Sequence, residues 1–289
     1  MSPQRNPITL LDGATGTELD RRGVDVSLPL WSARAIIEAP DVLQDVHRAY
    51  LTAGAQCITA NTFRTHERSL AKGGLGHRAK ELTAKAVAIA RAARDEVNPQ
   101  AMVWGSVAPL EDCYSPELTP DSQACRREHG QMISHLIDAG VDLVVMETMG
   151  AIDEACAAIE AARVLAPGKW AISFCLTSGD TPGVLLDGTP LARLIWQLEG
   201  ARFIGINCIA ATELADQVRH LRTLVPGAVP IAAYGNVGYP DDERGWINTD
   251  AIDPDRYARY AMEWIDAGAS IVGGCCGTTP ATVAAIGRR

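Results

Sequence analysis

Along the chain, short apolar runs alternate with longer amphipathic segments from end to end. The short runs are "ITLLD" (8 to 12), "QCITAN" (56 to 61), "MVWGSV" (102 to 107), "DLVVME" (142 to 147), "AISFCL" (171 to 176), "RFIGINC" (202 to 208), "VPIAAY" (229 to 234) and "SIVGGC" (270 to 275). Most are nearly continuous in apolar residues, the pattern of parallel strands buried on both faces. The segments between them read as helices. "PDVLQDVHRAYLTAGA" opens with Pro40 and an acidic first turn and reaches Gly54, and "QACRREHGQMISHLIDAGVD" runs to Gly140 just before the fourth strand. Eight parallel strands with eight crossovers predict a (β/α)8 barrel in preference to an open doubly wound sheet. No linker or shift of composition marks a second domain, so residues 1–289 are expected to form one barrel. The polar stretches after strands two and seven, "RTHERSLAKGGLGHR" and "GNVGYPDDERGWINTDAID", are expected as loop insertions on the functional rim.

Composition narrows the partners. With 47% apolar and 21% charged residues the 289-residue chain is globular, and a formal charge of −9 argues against nucleic acid, whose binding rests on Lys and Arg. The N-terminus has no continuous apolar core of a secretory signal, and no apolar run is long enough to span a bilayer. A cytoplasmic protein with no membrane or nucleic-acid partner is therefore expected. In that reducing setting the eight cysteines point to metal or catalytic uses, or to plain packing, before disulfides.

In a barrel the strand C-termini share one mouth, where active sites are built. Here they present Asp12, Asn61 and Thr62, Glu147, Asn207 and Cys208, Tyr234 to Asn236, and the pair Cys275 and Cys276. Three thiols from strands six and eight thus converge, a coherent seat for Zn²⁺ with one position left open. Successive strand side chains point to opposite faces, so Cys275 and Cys276 can meet one ion only where the backbone leaves the strand. Gly273, Gly274 and Gly277 permit that exit, and Thr279 and Pro280 then read as the N-cap and first residue of a helix.

Plainer readings exist for each residue. Cys275 and Cys276 could form a vicinal disulfide or be two thiols packed in a turn, Cys208 could be a core residue, and Asp12 could cap the helix after "GATG". Glu147 is harder to set aside, because a carboxylate ending the apolar run "DLVVM" needs a partner or a function. "DGATG" lacks both G-x-G-x-x-G and the Gly-Lys-Ser/Thr ending, which removes nucleotide binding.

Taken together, "LLDGATGTEL", "VVMET", "GINC" and "GGCCGTTP", in this order over nearly the whole chain, resemble the homocysteine S-methyltransferase family. The segment "LWSARAIIEAPDVLQDVHRAYLTAGAQCITANTF" is similar to that family as well. The resemblance implies a (β/α)8 barrel whose zinc is held by Cys208, Cys275 and Cys276, with homocysteine sulfur as fourth ligand. It implies that Glu147 takes the substrate ammonium, that Asp12 and the amides of Gly13 and Ala14 hold the amino-acid end, and that Asn207 supports the site. No side chain would act as acid or base, because the nucleophile is the substrate thiolate, deprotonated by the metal. The partners implied are small molecules, homocysteine and a methyl donor. Arg64 after Phe63 and Thr148 after Glu147 stand where betaine-using relatives carry tyrosines, and a cation at residue 64 disfavours a bare ammonium, leaving a sulfonium donor such as S-methylmethionine or S-adenosylmethionine. The alternatives are a betaine enzyme, a zinc hydrolase, or a catalytically silent barrel that binds metal or senses redox state.

Overall fold

The computed structural model describes residues 7–179, 181–241 and 244–289. Ten strands occur among them: β1 (Thr9–Leu10), β2 (Cys57–Ala60), β3 (Met102–Val107), β4 (Leu143–Met149), β5 (Trp170–Phe174), β6 (Ile204–Ala210), β7 (Ile231–Asn236), β8 (Gly238–Asp241), β9 (Gly245–Asn248) and β10 (Ile271–Gly274). Eight form one parallel sheet in the order β1-β10-β7-β6-β5-β4-β3-β2. A parallel bridge between Leu11 and Cys57, with Gln56 N donating to Leu10 O at 2.8 Å and Asp12 N to Cys57 O at 3.1 Å, joins its ends into a barrel.

Strand alternation accounts for the apolar runs. In β4, Leu143 and Val145 point inward to join Trp104, Ala171, Phe203 and Ile271, while Val144 and Met146 face the outer helices. The inner layer is filled by large rings, with Trp104 and Phe203 centroids 5.2 Å apart. The outer layer is covered by α1 (Thr15–Arg21), α2 (Arg34–Glu38), α3 (Pro40–Thr52), α4 (Glu67–Lys72), α5 (Ala79–Val97), α6 (Ser122–Ala139), α7 (Ile152–Leu165), α8 (Leu214–Leu224), α9 (Pro254–Asp266) and α10 (Pro280–Gly287). Pro40 begins α3 and Gly140, at φ 80°, closes α6 in the left-handed conformation, as their positions predict.

Three departures from the sequence expectations matter. Between β5 and β6 the crossover holds two short 3₁₀ turns, Leu191–Arg193 and Ile195–Gln197, among the described residues and no α-helix; Pro190 and Gly200 bracket too short a run for a stable one. The stretch after β2 contains α4 instead of remaining a loop. The stretch after β7 forms the antiparallel hairpin β8–β9, with Pro240 opposite Trp246, a strand that its proline and charges disguise. Of this insertion, residues 242 and 243 lie outside the description.

Two strands are irregular just where they reach the mouth. The β4–β5 register shifts between Met146 and Met149 and the β6–β7 register between Asn207 and Ala210. Each bulge carries a non-glycine residue in the left-handed region, Thr148 and Cys208, both at φ 63°. Bulges re-aim side chains beside active sites.

Candidate metal centre

Cys208 leaves the bulge of β6 with its sulfur toward the turn after β10. That strand ends at Gly274, and Cys275 and Cys276 lie beyond it, so the pair is off the strand as their convergence requires. The sulfurs of Cys208, Cys275 and Cys276 all lie within 4.8 Å of one another, and those of Cys208 and Cys276 are 3.9 Å apart. A tetrahedral ion with Zn–S bonds of about 2.3 Å separates its sulfurs by about 3.8 Å. The donor set and spacing therefore fit such an ion without rearrangement of the backbone. Hydrogen bonds from Cys208 and Cys275 push the Cys276 thiol well down, while hydrogen bonds with Cys208 and Cys276, with burial, push Cys275 well up. A divalent cation seated among the three sulfurs is what would let all of them ionise together.

The turn is fixed by reciprocal hydrogen bonds. Cys275 N donates to Gly235 O at 2.8 Å, and the Thr278 hydroxyl donates back to Cys275 O at 2.7 Å. Gly277, at φ 82°, turns the chain where an added Cβ would strike Val237. Thr279 N donates to Thr282 Oγ1 at 3.2 Å in a capping box, and Pro280 opens α10.

Asn236 at the end of β7 ties the two cysteine segments together. Its Oδ1 accepts from Cys276 N at 3.0 Å and its Nδ2 donates to Cys208 O at 2.9 Å. Tyr114, on the loop after β3, donates to the same Cys208 O at 3.2 Å and lies 3.1 Å from Cys208 Sγ. Neither was assigned a role from the sequence; Asn236 was visible as a strand end, but Tyr114 lies in a loop with no periodic signal.

The "DGATGT" loop latches onto the cysteine turn. Ala14 N donates to Thr278 Oγ1 at 3.1 Å, Gly277 N to Thr17 Oγ1 at 2.9 Å, and the Tyr50 hydroxyl to Ala14 O at 2.9 Å. This leaves the Ala14 amide committed within the protein, while that of Gly13 has no partner among the described residues. Asp12 does not cap α1, whose N-cap is Ala14. Instead Asp12 accepts from Thr59 N at 2.7 Å across the β1–β2 seam.

The three cysteines, Tyr114, Gly277 and the loop residues Gly13, Ala14 and Thr17 border one cavity of about 460 Å³, within the range of small-molecule sites. Asp12 and Glu147 both line it. Burial raises Asp12 well above the usual carboxylate range, with Glu147 adding to the rise, and burial pushes Glu147 up to about 7 against a hydrogen bond from Ser106. A buried carboxylate and a half-buried one facing one cavity call for a cation. Asn207 lies behind the wall, fully buried, accepting from Thr148 N at 3.0 Å and donating to Thr148 Oγ1 at 2.8 Å, so its amide pins the two bulges together.

The sequence matches the family model described as homocysteine S-methyltransferase over residues 9–289. It is 34% identical to the homocysteine S-methyltransferase of Escherichia coli, over 99% of this chain and 96% of that one, and 31% identical to homocysteine S-methyltransferase YbgG of Bacillus subtilis, over 96% and 92%. The fold superposes on the metallated form of the homocysteine methyltransferase MmuM from Escherichia coli with a TM-score of 0.84 and 33% identity, over 99% of this chain and 97% of the other. With a barrel that closes as expected and a family match over almost its full length, this chain belongs to the homocysteine S-methyltransferase family.

Proposed function

We propose that the protein transfers a methyl group from a sulfonium donor to the sulfur of homocysteine, giving methionine, with zinc seated on Cys208, Cys275 and Cys276. The observation that carries this reading is the trio of sulfurs, spaced for a tetrahedral ion and open toward a cavity that the carboxylates of Asp12 and Glu147 also line. Zinc, when bound, supplies a coordination position at which a substrate thiol is held deprotonated near neutral pH.

The protein's own groups then orient the substrates. Asp12 and Glu147 receive the homocysteine ammonium, which relieves the repulsion between them, and the free amide of Gly13 faces the amino-acid end. Asn236 and Tyr114 hold Cys208 against the Cys275–Cys276 turn, so the sulfurs keep their spacing through turnover. The homocysteine sulfur forms the new C–S bond in line as the donor's C–S bond breaks, and the donor departs as a neutral thioether. No proton moves in that step, which makes it a problem of alignment. The remaining elements of this reading are that residues 1–289 act as one homocysteine-binding barrel and that small molecules are its partners. With all eight cysteines free, a reducing compartment such as the cytosol suits it. Among the described residues, no helix is long and apolar enough to cross a membrane.

Turnover of homocysteine by zinc-loaded protein, measured in parallel with S-methylmethionine, S-adenosylmethionine and betaine, tests the reaction. Methionine is expected from a sulfonium donor, and its absence with all three sinks the proposal. Cys208→Ala is expected to lose the bound zinc, read by metal analysis of the purified protein; unchanged stoichiometry removes Cys208 from the ligand set.

A further inference from the structure

The cavity that holds the cysteine trio contains acids in plenty and, among the described residues, one cation: Asp12, Asp112, Glu147 and the three thiols line it against Arg64 alone. Arg64 follows Phe63 just beyond β2, is half-buried, and lays its guanidinium over the Phe63 ring at 5.4 Å. The neighbouring cations are neutralised. Arg68 binds Glu128 at 2.7 Å and Glu111 at 3.1 Å, and Lys72 pairs with Glu111. Arg64 differs from them, for its hydrogen bond runs from Nη1 to the main-chain oxygen of Glu111 at 3.0 Å, and it has no carboxylate partner among the described residues. Asp112, on the same rim, turns Oδ1 to Tyr114 N at 2.9 Å instead of pairing with it. A guanidinium has five donors in a fork that matches a carboxylate, so most of this one's capacity is unspent.

Its place relative to the metal seat is informative. Arg64 stands on the rim formed by the loops after β2 and β3, the side that also carries Cys113 and Tyr114, and Tyr114 touches Cys208. Arg64 and the three sulfurs border the same cavity of about 460 Å³. One small molecule can therefore span from the guanidinium to the sulfur trio. The wall between is aromatic and apolar, with Trp31, Phe63, Tyr114 and the hairpin's Trp246, the last still 41% exposed. Such a wall suits the methyl groups of an organic cation and excludes water from them.

Resting on the methyl-transfer reading above, we propose that Arg64 is the carboxylate-binding group of the methyl-donor subsite, so that the accepted sulfonium is one carrying its own carboxylate. A sulfonium without a carboxylate meets an unrelieved like charge at residue 64. One with a carboxylate converts that repulsion into a charge-assisted pair, which is where discrimination between donors arises.

The test is a binding measurement that needs no turnover. Zinc-loaded protein is saturated with homoserine, which fills the amino-acid site without a reactive sulfur, and is then titrated with S-methylmethionine or with its carboxamide, following quenching of the cavity tryptophans. The wild type is expected to bind the carboxylate form about 10- to 100-fold more tightly than the amide. Arg64→Leu is expected to erase that preference by weakening the carboxylate form and, with the like charge gone, tightening the amide, Arg64→Lys to restore part of it, and homoserine affinity to stay within about twofold in both, the difference between Lys and Leu excluding simple misfolding. Equal binding of acid and amide by the wild type, a preference that survives in Arg64→Leu, a loss that falls on homoserine instead, or no binding of either donor overturns the proposal. Failure of every sulfonium donor in the turnover assay is a separate result and strikes the proposed reaction.

Discussion

Replacing Asn236 by alanine should loosen the metal seat without touching a sulfur. The side chain is fully buried; its Oδ1 accepts from Cys276 N, and its Nδ2 donates to Cys208 O and, at 3.4 Å, to the Tyr114 hydroxyl. Alanine leaves the Cys276 amide without its partner, while Cys208 O keeps the Tyr114 hydroxyl at 3.2 Å. One orphaned buried donor costs about 1–3 kcal/mol, and the half-relieved carbonyl adds about 1 kcal/mol, so a loss of about 2–4 kcal/mol in the stability of the metal-free protein is expected. The same bonds set the Cys208–Cys276 sulfur separation, so zinc affinity should fall about 10- to 100-fold, the range for groups that orient metal ligands from behind. Thermal or urea unfolding of the metal-free protein gives the first quantity, and competition for zinc against a chromophoric chelator gives the second. Asn236→Asp is the informative companion, because it retains the acceptor for Cys276 N but cannot donate to Cys208 O when ionised. It should bind zinc more tightly than Asn236→Ala. A variant that is destabilised yet binds zinc within twofold of the wild type would refute the reasoning, since the bridge would then serve folding alone.

Glu147→Gln should raise the KM for homocysteine about tenfold or more while changing kcat less, because it removes one of two charges facing the ammonium; with burial holding the Glu147 carboxyl at about 7, wild-type affinity should also weaken as pH falls through neutrality, and the variant should lose that dependence. His47 is fully buried, neither ring nitrogen has a hydrogen-bond partner among the described residues, and burial lowers its pKa from 6.5 to about 4. The unfolded chain therefore binds the extra proton first, and stability falls by at most about 1.4 kcal/mol per pH unit as pH drops from about 6.5 toward 4, then no further on its account. His47→Leu should shrink the stability difference between pH 7 and pH 4.5 by about 2–3 kcal/mol in urea titrations; an unchanged difference would show that His47 is not the group responsible.

The extent to which the chain could be read without coordinates follows from the range of the forces involved. Strand positions were legible because burial on both faces writes a continuous apolar run into each segment, and the ends of β3, β4 and β6 follow from composition alone to within a few residues. The β5–β6 crossover was misjudged because the run between Pro190 and Gly200 is too short for a stable helix, and two 3₁₀ turns bridge the parallel strands instead. The β8–β9 hairpin was hidden because its pairing with itself outweighs a proline and a run of charges. At the site, the cysteines were recognisable from residue type and place at strand ends, and the glycines around them from the turn that adjacent thiols need.

The sequence by itself determined the barrel, the three sulfurs at its mouth, the acids that face them and the family to which they belong, because each depends on local periodicity or on an unusual residue pattern. Only the tertiary structure decided how those sulfurs are held. The Asn236 bridge, the Tyr114 contact, the commitment of the Ala14 amide to Thr278 and the bond from Arg64 to Glu111 O all join residues far apart in the chain, and the positive φ of Cys208 comes with the bulge that sets them up. A hydrogen bond between distant segments leaves no periodic trace in either one, so its partners become visible only when folding brings them within 3 Å or so of each other.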